Sequence, residues 1–285
     1  MIYHNKLKLL ICTQIVNKND PVLGFFVRWI EEFKKHCEVE VISLKDLGHG
    51  GKLLRAWRLL RLASRLEYDA VFVHMNPEYL VVAGWLWKLR GTKTALWYTH
   101  KSVDRKLRIA ERFAGVILTA SKESFRLPSN KVHVMGHGID TDFFTPDQGV
   151  VRGGAILSVG RLMKSKRHDL AIEAAAREHR ELHIAGDGPE RTNLEALAKE
   201  RGATVHFLGG INQTQLRDEY RRAAYLIHTS ETGSLDKVVL EALACGCSVQ
   251  TNDPALKHLE HATPAYIREH HSLATLIPAI LKELS

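Results

Sequence analysis

The stretch Ala70-Val-Phe-Val-His74 is apolar up to its last residue and shows no polar alternation. A continuous apolar run of this length is typical of a parallel β-strand that helices cover on both faces. Amphipathic stretches with helical spacing lie on either side of it, at 52–66 and 77–89. Helix, strand and helix in this order predict a βαβ unit, from which parallel α/β sheets are built.

The same alternation extends along the chain. Predicted strands lie at 8–13, 39–43, 70–74, 94–98, 116–119, 132–135, 155–159, 181–185, 204–208, 224–228, 248–251 and 265–267. Glycines, aspartates and a proline interrupt the pattern at 138–154, which predicts a linker. The predicted fold is α/β, with two facing Rossmann-like, doubly wound lobes at 1–148 and 149–285. Ligands are expected in the cleft between them, at the carboxyl ends of the strands.

The composition is that of an ordinary globular protein, with 45% hydrophobic and 25% charged residues among 285. We recognise neither a secretory signal nor a run long enough to span a membrane, so a cytoplasmic protein with reduced cysteines is expected. Cys245 and Cys247 lack a second ligand pair, so no metal site is expected.

The net charge of +8 resides in the first half of the chain. Residues 1–150 hold 23 Lys and Arg against 15 Asp and Glu, whereas residues 151–285 hold 17 of each. This asymmetry indicates either solvated helix faces or an anionic surface as partner. The chain carries no nucleic-acid motif, so nucleic acid is not an expected partner.

The first stretch that carries chemistry is Ser158-Val-Gly-Arg-Leu-Met-Lys-Ser-Lys166, at the end of a predicted strand. Gly160 permits a tight turn, and Arg161 and Lys166 place two cations at a spacing of five. Such cations suit phosphate oxygens, and they stabilise the charge that develops on a departing diphosphate. A basic loop after a strand is the alternative interpretation.

The second stretch is Gly233-Ser-Leu-Asp-Lys-Val-Val-Leu-Glu-Ala-Leu-Ala-Cys-Gly246, where a polar loop opens into a helix. The amides at a helix start suit an anion or a hydroxyl group. Glu241 lies in an apolar helical stretch, where a carboxylate needs a partner such as a ribose diol. The alternative is a glutamate on the exposed edge of the helix.

A third stretch, Ala185-Gly-Asp-Gly-Pro189, is best interpreted as a structural turn, since it lacks the third glycine of a dinucleotide fingerprint.

Taken together in the order in which they occur along the chain, the three stretches resemble glycosyltransferase family 4, the group 1 glycosyltransferases of GT-B fold. The resemblance covers residues 151–255 closely. It implies a retaining, metal-independent hexosyltransferase of cell-envelope polysaccharide synthesis, with no cofactor besides its nucleoside-diphosphate sugar donor and with a glycan or lipid-linked acceptor.

The resemblance also implies the roles of individual residues. Arg161 and Lys166 would bind the diphosphate and act in catalysis, Glu241 would bind the ribose hydroxyls, and the nucleobase would lie near 207–212. The donor site would comprise Gly160, Arg161, Lys166, Gly233, Ser234, Leu235, Asp236, Lys237 and Glu241. One departure concerns the first of two family glutamates, eight positions before Glu241, where this chain has Gly233. Three interpretations are open: Asp236 and Lys237 take over sugar recognition, the donor differs from the family's common ones, or activity is impaired.

In the first lobe the resemblance is looser. His100, after a predicted strand, matches a family histidine near the donor sugar and is a further catalytic candidate. Asp20 and Gly24 match the position of the family's acceptor loop, and His137 is expected to be a structural residue at the hinge. The chain ends soon after its last predicted helix, which suggests that the family's long crossover helix is absent.

The helix predicted at 52–66 carries a stripe of cations beside leucines and Trp57. A solvated face explains the stripe, and so does peripheral contact with anionic lipid at the inner face of the membrane. Two alternatives to a transferase stay open. One is a sugar-nucleotide epimerase or phosphorylase on the same fold, and the other is a degenerate, non-catalytic nucleotide-sugar-binding module.

Overall fold

The computed structural model describes residues 6–20, 22–65, 67–230 and 235–285. Within this part of the chain two compact units are distinguished. The first contains 23–136 together with the residues up to 18 and residues 276–285, and the second contains 19–22 and 137–275. The predicted lobe boundary at 148/149 therefore lies inside the second unit.

The first unit is built on a parallel sheet of six strands in the order β2-β1-β3-β4-β5-β6. The strands are β1 Lys8–Thr13, β2 Glu38–Ser43, β3 Ala70–His74, β4 Lys93–Trp97, β5 Val116–Thr119 and β6 Val132–Val134. The connecting helices are α1 Phe26–His36, α2 Lys52–Arg65, α3 Glu78–Leu89 and α4 Arg105–Phe113. Every residue of β3 is buried, as its continuous apolar run predicts.

The second unit is built on a parallel sheet of five strands in the order β11-β10-β7-β8-β9. The strands are β7 Ile156–Val159, β8 Leu182–Ala185, β9 Val205–Gly209, β10 Tyr225–His228 and β11 Ser248–Thr251. The helices are α5 His168–Glu178, α6 Arg191–Arg201, α7 Gln213–Arg222, α8 Lys237–Ala244 and α9 Pro264–His271. β7 lies at the centre of this sheet, so the loop after it is flanked by the loops after β8 and β10.

The strand predicted at 265–267 is wrong, because these residues lie within helix α9. The Thr263 side chain caps this helix by accepting a hydrogen bond from the Tyr266 amide, and Pro264 occupies its first turn. A threonine cap followed by proline is a helix-start signal that outweighs the short apolar run.

The segment 138–154, expected to be a linker, packs onto the second unit. Phe144 is buried beside Tyr220, with ring centroids 6.1 Å apart. The guanidinium of Arg152 donates to the carbonyls of Tyr220, Ala223 and Cys245. Glycine and aspartate disrupt the periodicity of this segment without preventing it from packing.

The last helix, α10 Leu273–Glu283, begins in the second unit, whereas residues from Leu276 onward belong to the first. Within the first unit Glu283 pairs with His133 at 2.9 Å, and Lys93 donates to the Ser285 carbonyl. Residues 276–285 therefore return to the first unit, and the predicted absence of the family's long crossover helix stays a prediction. In the part of the chain that the structure describes, no helix is both long and apolar enough to cross a membrane.

Candidate functional site

The loop after β7 forms one wall of the candidate site. The strand ends at Val159, and Gly160 follows with φ of +153°, a backbone conformation that side chains disfavour. The Arg161 side chain is exposed to solvent. Ser158 Oγ lies 2.9 Å from Nδ1 of the buried His168, which ties the end of β7 to the start of α5.

The glycine turn after β8 packs backbone to backbone against this loop. A Cβ atom on Gly186 would lie 1.9 Å from the Gly160 carbonyl oxygen, and one on Gly188 would lie 2.5 Å from that of Leu162. The Leu162 amide donates to the carbonyl of Asp187 at 3.0 Å. Both glycines are therefore needed for close approach, in agreement with the interpretation of 185–189 as a structural turn. This glycine turn therefore fixes the backbone path of the loop that carries Arg161.

Lys166 is held at a defined position by an acidic partner. Its Nζ lies 2.6 Å from Asp236 Oδ2, although 70 positions separate the two residues. His228 Nε2 lies 3.3 Å from the same oxygen, and the Thr229 hydroxyl donates to the Lys166 carbonyl at 2.9 Å. The structure thus brings together two of the predicted stretches, the loop after β7 and the start of α8, and adds the end of β10 to them.

Burial alone would raise the pKa of the Asp236 carboxyl. The hydrogen bond from His228 and the charge of Lys166 outweigh this effect and hold the pKa well below its ordinary range. Asp236 precedes α8, but its side chain makes no capping hydrogen bond to that helix. Its carboxylate therefore contacts Lys166 and His228 and does not cap the helix.

Glu241 is buried, with only 1% of its surface exposed, so the interpretation as an exposed helix-edge glutamate is wrong. The Tyr220 hydroxyl donates to its Oε2 at 3.1 Å, and Lys237 Nζ lies 3.2 Å from its Oε1. Burial raises the pKa of Glu241, and Lys237 and Tyr220 oppose that rise only in part. The carboxylate has the partners that its apolar surroundings require, and its contact with a ribose stays a prediction.

His137 belongs to the second unit and lies close to the start of α8. Burial and then the positive charge of Lys237 lower its pKa to about 4, with Asp236 acting in the opposite sense. The ring is therefore neutral at neutral pH. This agrees with a structural role and adds the observation that His137 borders the candidate site.

The remaining predicted residues have other positions. Gly233 and Ser234 lie outside the described residues. His100 is exposed in the first unit, and its Nδ1 accepts from the Ser102 amide at 3.1 Å. Asp20 is assigned to the second unit and Gly24 to the first, and Asp20 Oδ1 accepts from the Val22 amide at 2.9 Å. The roles predicted for these residues in catalysis and acceptor binding stay predictions.

Three residues of the site were not found from the sequence. His168 and His228 position Lys166 and its loop, and Tyr220 holds Glu241. The sequence offers only weak signals for these three residues. Each histidine lies at the end of a predicted strand or the start of a predicted helix. Tyr220 lies on the predicted helix that precedes the strand and helix leading to Glu241. By contrast, Lys237 and Glu241 are four positions apart, a spacing that predicts contact on a helix.

Comparison with known proteins finds a family match for a segment of the chain. Residues 150–264, which contain Arg161, Lys166, Asp236 and Glu241, match the family described as glycosyl transferases group 1. The match covers 115 of the 285 residues and makes this segment similar to the group 1 glycosyltransferases. The predicted recognition from the three sequence stretches is thereby confirmed.

Curated relatives of the chain include two bacterial enzymes. One is N-acetylgalactosamine-N,N'-diacetylbacillosaminyl-diphospho-undecaprenol 4-alpha-N-acetylgalactosaminyltransferase of Campylobacter jejuni, 26% identical over 70% of this chain and 61% of the relative. The other is a GDP-mannose-dependent alpha-mannosyltransferase of Mycolicibacterium smegmatis, 28% identical over 75% of this chain and 55% of the relative. The chain thus spans about three-fifths of the length of these relatives or less.

Solved structures resemble it over nearly its whole length. Anabaena HepE in complex with UDP and glucose has a TM-score of 0.71 at 18% identity, and covers 98% of this chain and 99% of its own. A glycosyltransferase from Rickettsia africae has a TM-score of 0.73 at 13% identity, with 99% and 98% covered. At such identities the likeness concerns the fold alone. The predicted GT-B-like fold with two Rossmann-like units is confirmed.

Proposed function

We propose that this chain is a retaining, metal-independent glycosyltransferase that moves a hexose from a nucleoside-diphosphate sugar to a glycan or lipid-linked acceptor. The observation that carries the proposal is the 2.6 Å contact of Lys166, on the loop that also carries Arg161, with Asp236 at the start of α8. The relatives named above are glycosyltransferases, and one of them depends on GDP-mannose. Retention is supported by the resemblance to the family.

In this proposal the donor diphosphate binds to Arg161 and Lys166. Transfer leaves negative charge on the diphosphate as the glycosidic bond breaks, and fixed cations stabilise that charge. Lys166 is fixed by its 2.6 Å contact with Asp236, so little reorganisation is needed when the charge develops. Two cations at this position supply the charge that a metal ion would otherwise provide, which supports the metal-independent reaction.

The other roles follow the family resemblance. Glu241 would bind the ribose hydroxyls, and Leu235, Asp236 and Lys237 would lie near the donor sugar. His100 would contact a sugar hydroxyl, and Asp20 and Gly24 would belong to the acceptor loop. Gly233, where the family carries its first glutamate, favours a second candidate function: a module that binds nucleotide sugars without transferring the sugar.

A peripheral contact with an anionic membrane is part of the proposal. Helix α2 exposes 88% of Leu53 and 55% of Trp57, and the Arg61 guanidinium lies 5.4 Å from the Trp57 ring centroid. Arg55 and Arg58 instead donate hydrogen bonds to backbone carbonyls. Fewer cations of the stripe are therefore available to lipid head groups than the sequence suggests. Exposed apolar side chains beside cations suit the lipid interface.

Vesicles of anionic lipid should therefore sediment the wild type better than Trp57→Ser, whereas Trp85→Ser, at a comparably exposed tryptophan of α3, should match the wild type.

The reaction itself is tested by supplying UDP, GDP and ADP hexoses with glycan and polyprenyl-phosphate acceptors, in the presence of EDTA. The expected result is one preferred donor and a product whose anomeric configuration, determined by NMR, equals that of the donor. Binding of a nucleotide sugar without transfer to any acceptor would favour the binding module. Inversion, or abolition of transfer by EDTA, would contradict the proposed chemistry.

A further inference from the structure

The second unit carries a cluster of three potential metal ligands apart from the donor-binding loops. Glu181 immediately precedes β8, His183 lies on that strand two positions later, and His206 lies on the edge strand β9. His183 and His206 are register partners on neighbouring strands, with ring centroids 5.3 Å apart. One ligand atom from each of the three residues lies within 4.8 Å of the others.

An additional carboxylate orients one of these histidines. Glu219 Oε2, on helix α7, lies 2.9 Å from His183 Nδ1. In metal sites a ligating histidine commonly donates its second ring N–H to a carboxylate, which fixes the tautomer and raises the basicity of the other nitrogen. The Glu219 contact therefore presents Nε2 of His183 as the lone-pair donor.

We infer that Glu181, His183 and His206 form a binding site for a zinc-type divalent cation. Zinc takes imidazole nitrogen and carboxylate oxygen at about 2.0–2.2 Å, so two ligand atoms of a tetrahedral site lie about 3.4 Å apart. The three ligand atoms lie within 4.8 Å of one another, and Glu181 and His206 are exposed, so side-chain rotation can close the remaining distance. Two imidazoles favour zinc and its neighbours over magnesium or calcium, which prefer oxygen ligands.

Such an ion would tie three elements of the second unit together. It would join the edge strand β9 to β8 directly, and it would join both strands to α7 through Glu219. The site lies toward the amino end of β8, whereas the candidate donor residues follow the carboxyl ends of β7 and β10. The ion would therefore stabilise the fold and leave the phosphate chemistry to Arg161 and Lys166. A ligand that binds only the folded state stabilises that state by RT ln(1 + L/Kd), where L is the free ligand concentration.

The test is calorimetric titration of untagged, chelator-treated protein with zinc chloride. The wild type should bind one zinc ion per chain, and zinc should raise its thermal midpoint. His206→Ala should weaken binding at least about 100-fold and abolish the thermal shift. Glu219→Gln, which keeps the fold and all three ligands, should weaken binding roughly tenfold, as is typical for an outer-shell partner.

The matched control is His133→Ala, which removes another histidine–carboxylate pair, that of His133 with Glu283 at 2.9 Å. This variant should bind zinc like the wild type. Circular dichroism of each variant shows whether it is folded. Equal zinc affinity in wild type and folded His206→Ala would overturn the inference, and so would weak binding shared by all variants.

Discussion

Lys166 Nζ lies 2.6 Å from Asp236 Oδ2, and this contact joins the loop after β7 to the start of α8. Both side chains are partly buried, with 23% and 18% of their surfaces exposed. The pair therefore sets the position of the cation before any phosphate arrives. It also places a negative charge beside the proposed phosphate site, so in this proposal Asp236 weakens phosphate binding while it positions the lysine.

Asp236→Asn separates these two effects. The amide keeps a hydrogen-bond acceptor for Lys166 but removes the charge, and one unit charge a few ångströms away contributes about 1 kcal/mol even in a water-like medium. A nucleoside diphosphate should then bind about fivefold more tightly. If Asp236 also contacts the donor sugar, transfer should fall all the same. Titration calorimetry and an initial-rate assay measure the two quantities. Weaker diphosphate binding would show that the carboxylate's positioning role dominates.

Tyr220→Phe should destabilise the second unit by about 1–3 kcal/mol, since it removes a donor from the buried Glu241 carboxylate. Tyr225→Phe is the matched control, because its hydroxyl donates at 2.8 Å to Glu178, whose side chain is 33% exposed. Water can replace that bond, so the control should lose less stability. Differential scanning calorimetry compares the two. Equal losses would mean that Glu241 does not depend on Tyr220.

Gly188→Ala tests the close packing of the glycine turn. The added Cβ would lie 2.5 Å from the Leu162 carbonyl oxygen, so the loop that carries Arg161 must move. Overpacking of this kind costs about 1–3 kcal/mol, and nucleotide-sugar binding should weaken with it. Gly154→Ala is the control, since its Cβ would meet nothing closer than 4.0 Å. Wild-type binding by Gly188→Ala would contradict a coupling between turn and loop.

The buried histidines predict loss of stability in mild acid. Burial, above all, lowers the pKa of His168 and of His137 from 6.5 to about 4. Between pH 6.5 and pH 4 the unfolded chain therefore binds protons that the folded chain does not, and stability falls as pH falls. Each group contributes about 1.4 kcal/mol per pH unit within this window.

His168→Asn should make this dependence shallower but not abolish it, because one of the two titrating histidines is gone and His137 remains. The exposed His261→Gln serves as control and should retain the wild-type slope. The measurement is the thermal midpoint from pH 7 to pH 4. An unchanged slope in His168→Asn would show that His168 is protonated as readily in the folded state as in the unfolded state.

The sequence predicts the parallel sheets well, because continuous apolar runs such as that of β3 have few other interpretations. The apolar neighbours of Glu241 predict that its carboxylate needs a partner, and the spacing of four positions predicts its contact with Lys237. It cannot predict the contact of Lys166 with Asp236, since only the tertiary fold brings together residues 70 positions apart. The wrong strand at 265–267 could have been avoided from the sequence, because the threonine and proline that begin α9 predict the start of a helix.

The most direct test of the donor site compares Lys166→Ala with Lys164→Ala by titration calorimetry, using the nucleoside diphosphate of the preferred donor. Both lysines lie in the short helical turn after β7, but Lys164 is exposed and Lys166 is held by Asp236. The proposed donor site predicts that Lys166→Ala weakens binding by about tenfold or more, as loss of a charge-assisted hydrogen bond would, and that Lys164→Ala binds like the wild type. Equal affinity in the two variants would contradict a diphosphate site at Lys166.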